Sequence, residues 1–128
     1  MGPIEAAAYR LPGLDVLVCE DEWLIRSNTV EMLREAGHRP VEAMTAGQAL
    51  EALGTQKFDV LLTDIGLPDM SGVDLALEAK RLAPWLGIIF ASGYSEADKR
   101  SDVPGALRIG KPYQISDIER ALERLRAR

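Results

Sequence analysis

Residues 61–72 read LLTDIGLPDMSG. Together with the preceding FDV they form an apolar run of strand length that ends in Asp64, with Pro68 and Gly72 following. A run without polar alternation is the pattern of a strand buried on both faces, as in a parallel sheet. An aspartate at the end of such a strand is either a turn-former or a reactive group displayed at the sheet edge.

Working outward, the same punctuation recurs. LDVLVC (14–19) is a second apolar run of strand length, closed by the acidic triplet Glu20, Asp21 and Glu22. From Trp23 to Ala36 the residues Ile25, Thr29, Met32, Leu33 and Ala36 fall near helical spacing, and Gly37 is a natural stop. RPVEAM (39–44) is a weaker strand. Thr45 then reads as an N-cap, with Ala46, Ala49, Leu50 and Leu53 on one helical stripe before Gly54. Beyond FDVLLT (58–63), a helix is expected from about Val73 to Ala83, where Pro84 stops it. LGIIFA (86–91) is a fourth strand, residues 95–101 suit a short polar helix, and ALRIG (106–110) is a marginal fifth strand. The last helix carries Ile115, Ile118, Leu122 and Leu125 and starts near Gln114 or Ser116. Repeated strand and helix units imply an α/β fold with a parallel sheet and helices on both faces, because parallel neighbours need crossover connections.

The 128 residues suit one globular domain. The expected division is a lead-in over residues 1–12 and a domain over 13–128. A net charge of −5 argues against a nucleic-acid surface, which needs clustered lysine and arginine. Cys19 is the only cysteine, so no internal disulfide forms, and no apolar run reaches the ~18 residues that would span a bilayer. The N-terminus lacks the charged and apolar regions of a signal peptide, which leads to the expectation of a cytoplasmic protein with no membrane partner.

In open α/β sheets, ligands gather outside the carboxyl ends of the strands. The strands deliver Glu20 and Asp21, Thr63 and Asp64, Ser92 and Gly93, and Gly110 and Lys111 there. Taken singly each has a plain structural reading: Glu22 as a first-turn charge, Ser92–Gly93 as a turn, Lys111 as a loop lysine. Together, three carboxylates at one edge repel one another unless a cation neutralises them. Oxygen ligands of this kind suit Mg²⁺, with Mn²⁺ as a substitute, and the lysine and hydroxyl suit a phosphoryl group. His38 reads as a solvated loop residue and Cys19 as core filler, while Trp23 and Trp85 read as packing or surface aromatics. A zinc site and a Ser-His-Asp triad therefore have no material. No dinucleotide or P-loop fingerprint is present.

VLVCEDE, LLTDIGLPDMSG, FASGYS and GKPY, in this order at successive strand ends, resemble the bacterial two-component response regulator receiver domain, of the single-domain type. The resemblance covers roughly residues 14–126. It implies a flavodoxin-like (βα)5 three-layer sandwich with strand order 2-1-3-4-5. It further implies Asp64 as phospho-acceptor, and Asp21, Asp64 and the Gly66 backbone carbonyl on Mg²⁺ with help from Glu20. Ser92 and Lys111 would contact the phosphoryl oxygens. The implied donor is a histidine kinase or histidine phosphotransfer protein, and output goes through contacts with a downstream protein by a monomer or weak dimer. The implied activity is that of a phosphoacceptor, not a turnover enzyme. The alternatives are a receiver from a hybrid histidine kinase and a Mg²⁺-dependent phosphohydrolase. The second is opposed by Gly66, which stands where such enzymes carry a second aspartate. Arg108 departs from the family, which has an aromatic switch residue there. Tyr94, within FASGYS, is a candidate gate for water at the acceptor.

Overall fold

The computed structural model describes residues 13–93 and 103–127. The lead-in, Tyr94 and the helix expected over 95–101 lie outside the described residues. Within them the order is β1 (Asp15–Cys19), α1 (Trp23–Glu35), β2 (Arg39–Ala43), α2 (Ala46–Thr55), β3 (Val60–Asp64), α3 (Gly72–Leu82), β4 (Gly87–Ser92), β5 (Leu107–Gly110) and α4 (Ile115–Arg126). The strands form one parallel sheet in the order β2-β1-β3-β4-β5.

The side-chain period of two in a strand sorts the core onto the two faces. Leu17 and Cys19 of β1 join Leu61 of β3, Ile88 and Phe90 of β4, and the inner stripes of α2 and α3. Val16, Val18, Val60, Leu62 and Ile89 meet Val30 and Leu33 of α1 and Ile118 and Leu122 of α4. Each fully buried leucine, valine or phenylalanine contributes about 1.5–3 kcal/mol. That is why the three central strands read as continuous apolar runs. The edge strands look weaker for the same reason: β2 is largely half-buried or exposed, and β5 alternates buried and exposed residues. Pro40 sits in edge strand β2, where a missing N–H is tolerated.

Local signals hold at several helix ends. The Gln48 N–H donates to Thr45 Oγ1 at 3.1 Å, capping α2, and Gly37 takes φ = 92°, a backbone that glycine adopts freely. Gln114 caps α4, its N–H donating to Asp117 Oδ2 at 2.8 Å. Three expectations about the helices need correction. Gly54 does not end α2, which continues through Thr55, whose hydroxyl donates to the Ala52 carbonyl. Glu22 stands at the N-cap position of α1 and not in its first turn. The buried stripe of α1 is Arg26, Thr29, Val30 and Leu33, one residue onward from Ile25 and Met32.

His38 is the clearest departure. It is buried, not solvated. Its Nδ1 accepts from the Leu14 N–H at 3.1 Å, and its Nε2 lies 2.9 Å from Glu119 Oε1. With Nδ1 accepting, the ring proton sits on Nε2 and is donated to the carboxylate, which ties the start of β2 to α4. Cys19 is core filler as expected, and burial pushes its thiol up to about 12.

Candidate functional site

The chain reverses its direction of travel across the sheet at β1, so a crevice opens where β1 and β3 lie side by side. Cys19 pairs in register with Thr63. The next residue on each strand is a carboxylate, and Glu20 and Asp64 therefore meet although far apart in the chain. One carboxylate oxygen from each of Glu20, Asp21 and Asp64 lies within 4.8 Å of the others. Glu20 and Asp64 are buried, whereas Asp21 is exposed, so the cluster has a dry floor and an open mouth.

Lys111, on the turn after β5, closes the floor. Its Nζ stands 2.7 Å from Glu20 Oε1 and 3.1 Å from Asp64 Oδ1. Burial opposes the charge on Lys111, but the hydrogen bonds to Glu20 and Asp64 outweigh it and hold the amine above its ordinary value. Burial pushes the Glu20 carboxyl up. Lys111 and the Glu22 N–H work against that rise, and the charge on Asp64 adds to it. Two buried carboxylates thus share one ammonium. The Lys111 N–H donates to the Ser92 carbonyl at 2.9 Å, which fastens the lysine's backbone to the end of β4; the Lys111–Pro112 peptide is cis.

A ring of supports fixes the carboxylates. Arg26, buried on α1, donates from Nη1 to the Glu20 carbonyl at 2.9 Å and from Nε to Glu42 Oε1 at 3.0 Å. The Glu22 N–H donates to Glu20 Oε2 at 3.2 Å, and Thr63 Oγ1 donates to the Asp64 carbonyl at 2.9 Å. Next to Lys111, the Tyr113 hydroxyl bonds Thr29 Oγ1 of α1, and burial pushes the phenol up. The loop after Asp64 folds back tightly: the Gly72 N–H donates to the Ile65 carbonyl at 2.7 Å, and Gly66 bridges Ser71.

Asp69, in that loop, reaches the adjacent helix. Its carboxylate accepts from the Ala46 and Gly47 N–H groups, both at 2.9 Å, at the N-terminus of α2. These bonds, Gly47 first, hold the Asp69 carboxyl below its ordinary value. A carboxylate with a lowered folded pKa stabilises the fold above its unfolded value, about 3.9, and loses that contribution as pH falls through the lower folded value. Asp69→Ala should therefore be less stable than wild type at neutral pH. The gap should close in acid, as read by urea unfolding at pH 7 and pH 3; a constant gap would refute this linkage.

Glu20, Asp21, Asp64 and Lys111 are brought together as the sequence led one to expect. Ser92 lies buried at the end of β4, one residue past Ala91, the register partner of Asp64. Gly66 is exposed in the loop. Arg26, Asp69 and the Thr29–Tyr113 pair were not anticipated. Of these, Arg26 left a trace, since shifting the α1 stripe by one residue places an arginine on the buried face.

The response regulator receiver domain family model matches residues 16–123. The transcriptional regulatory protein PdtaR of Mycobacterium tuberculosis is 39% identical over 128 residues, covering 95% of this chain and 60% of that protein. The chain thus spans about three fifths of that relative. The response regulator receiver protein CpdR of Brucella abortus is 31% identical over 113 residues, 86% of this chain and 94% of CpdR. The crystal structure of the response regulator protein TrrA from Thermotoga maritima, in complex with Mg²⁺–BeF, superposes with a TM-score of 0.77. It is 26% identical and covers 87% of this chain and 97% of its own. Sheet order, acidic crevice and sequence agree, and the chain belongs to the response regulator receiver domains of two-component signalling.

Proposed function

We propose that Asp64 accepts a phosphoryl group from a phosphohistidine of a kinase or phosphotransfer protein, in a Mg²⁺-dependent reaction. The observation that carries this reading is the half-buried Lys111 ammonium held between buried Glu20 and Asp64, beside exposed Asp21. An Asp64 oxygen bonds to phosphorus as the bond from phosphorus to the donor imidazole nitrogen breaks. The electron pair leaves on that nitrogen, and an acyl phosphate remains. Water later attacks it and returns carboxylate and inorganic phosphate.

Phosphorylation brings about −1.5 to −2 charges to a crevice that already holds three carboxylates, two of which share one lysine. Lys111 offsets part of that charge at the transferring oxygens. The donor set is all hard oxygen and opens to solvent at Asp21, which fits Mg²⁺ and its habit of keeping several waters. Asp21, Asp64 and the Gly66 carbonyl would hold the ion, with Glu20 assisting, and Mn²⁺ would substitute. When bound, the metal supplies positive charge against the phosphoryl oxygens. Ser92, at the neighbouring strand end, donates its hydroxyl to a phosphoryl oxygen in this reading.

The match across nearly all of CpdR supports a single-domain regulator. In this reading residues 13–128 form the receiver and act in the cytoplasm through a downstream protein. No described helix is long and apolar enough to cross a membrane. The test is intact mass after incubation with acetyl phosphate and Mg²⁺. One phosphoryl adduct is expected on wild type, and none on Asp64→Asn or with excess EDTA. An adduct that persists on Asp64→Asn would place the acceptor elsewhere. If acetyl phosphate labels nothing, failure of transfer from a phosphorylated histidine kinase as well would end the proposal.

A further inference from the structure

The turn that carries Lys111 is fastened on two sides. On one side the Lys111 N–H donates to the Ser92 carbonyl at 2.9 Å, at the end of β4. On the other, the Tyr113 hydroxyl meets Thr29 Oγ1 of α1. The direction of that second bond follows from a proton count. Thr29 Oγ1 donates to the Ile25 carbonyl at 2.7 Å, and a threonine hydroxyl has one proton, so Tyr113 is the donor. A directed chain therefore runs from the phenol through the Thr29 hydroxyl to Ile25, in the first turn of α1 directly after the acidic triplet. Burial, which pushes the phenol above its ordinary value, keeps the proton in place.

We propose that Tyr113 is a positioning residue for Lys111: its hydrogen bond to Thr29 sets where the ammonium stands over Glu20 and Asp64. The ring packs against the core cluster that holds Val30, Leu33 and Ile118. Packing along the seam between α1 and the turn is incomplete, however. A cavity of ≈ 380 Å³ lies there, lined by Ile25, Asn28, Met32, Lys111 and Pro112 together with the bonded pair. The hydroxyl thus fixes what the ring alone leaves loose. Lysine is long and rich in rotamers, so a backbone held on one side only would leave Nζ a wide arc. Contacts of 2.7 Å to Glu20 Oε1 and 3.1 Å to Asp64 Oδ1 need the turn held on both. The effect on phosphoryl transfer rests on the reading of Asp64 as acceptor; the tie itself does not.

The test is Tyr113→Phe in the full chain, which removes the hydroxyl and keeps the ring. Labelling by acetyl phosphate at saturating Mg²⁺ should slow about 3–10-fold, the range that one ordinary hydrogen bond is worth. In a Lys111→Met background the same substitution should cost nothing further, because a residue that acts through Lys111 has nothing left to position. A loss caused by general weakening of the fold would appear in both backgrounds. A second readout needs no phosphoryl transfer. The Lys111 ammonium signal in ¹⁵N NMR, assigned by its loss in Lys111→Met, should exchange with water faster in Tyr113→Phe, with both chains folded by circular dichroism. That exchange decides if wild type takes no label or if the doubly substituted chain does not fold. Unchanged exchange, an unchanged labelling rate where wild type is labelled, or equal losses in the two backgrounds would each overturn the proposal.

Discussion

Lys111→Met should slow the labelling of Asp64 by acetyl phosphate by about 10²–10³-fold, the loss typical when one donor aimed at developing negative charge is removed. Methionine keeps an unbranched apolar stem only one heavy atom shorter, so the change chiefly removes the ammonium. The same substitution leaves Glu20 and Asp64, both buried, facing one another without the cation now 2.7 Å and 3.1 Å away. Breaking a buried pair by removing one partner costs about 3–5 kcal/mol. Because Asp21 opens the cluster to solvent, added Mg²⁺ should restore part of that stability by supplying the missing charge. Thermal unfolding with and without Mg²⁺ reads the second effect and quench-flow labelling the first. An unchanged labelling rate would remove Lys111 from the chemistry.

Gly72→Ala should cost about 3 kcal/mol, the upper end of ordinary overpacking penalties. A Cβ there would stand 2.0 Å from the Asp64 carbonyl oxygen and 2.9 Å from the Ile65 Cα. Backbone cannot rotate aside as a side chain can, so either the start of α3 or the end of β3 must move. Movement of β3 displaces Asp64, the acceptor proposed above, so labelling should fall along with stability. Gly54→Ala provides the contrast. A Cβ at Gly54, within α2, meets nothing within 4 Å, and alanine there should stabilise by about 0.5–1 kcal/mol. Urea midpoints for the two variants should move in opposite directions. Equal midpoints would mean that the loop after Asp64 is not closed as tightly as its geometry shows.

These two positions differ in how visible they were. Lys111 could be picked out because a lysine after a strand, followed by proline, belongs to a series of strand-end residues. Gly72 stood out only as punctuation; its role depends on the loop folding back to put α3 against the Asp64 carbonyl. Arg26 and Asp69 were missed for a related reason. Each is a common surface residue type, and each works by reaching a group on another element: the Glu20 carbonyl for Arg26, the N-terminus of α2 for Asp69.

Periodicity and punctuation by themselves determined the α/β class, the central strands and the Thr45 cap of α2. Burial on both faces writes continuous apolar runs into β1, β3 and β4, and a half-buried helix writes a stripe, so each signal is local. The acidic crevice was legible for the same reason, since an acidic residue closing an apolar strand is visible without knowing its neighbours. Tertiary structure alone decided that Cys19 lies opposite Thr63, that Lys111 bridges Glu20 and Asp64, and that His38 is a buried clamp to Glu119. Hydrophobic spacing records which face of an element leaves water. It does not record which polar group, eighty or more residues away for His38, arrives to satisfy the one buried there.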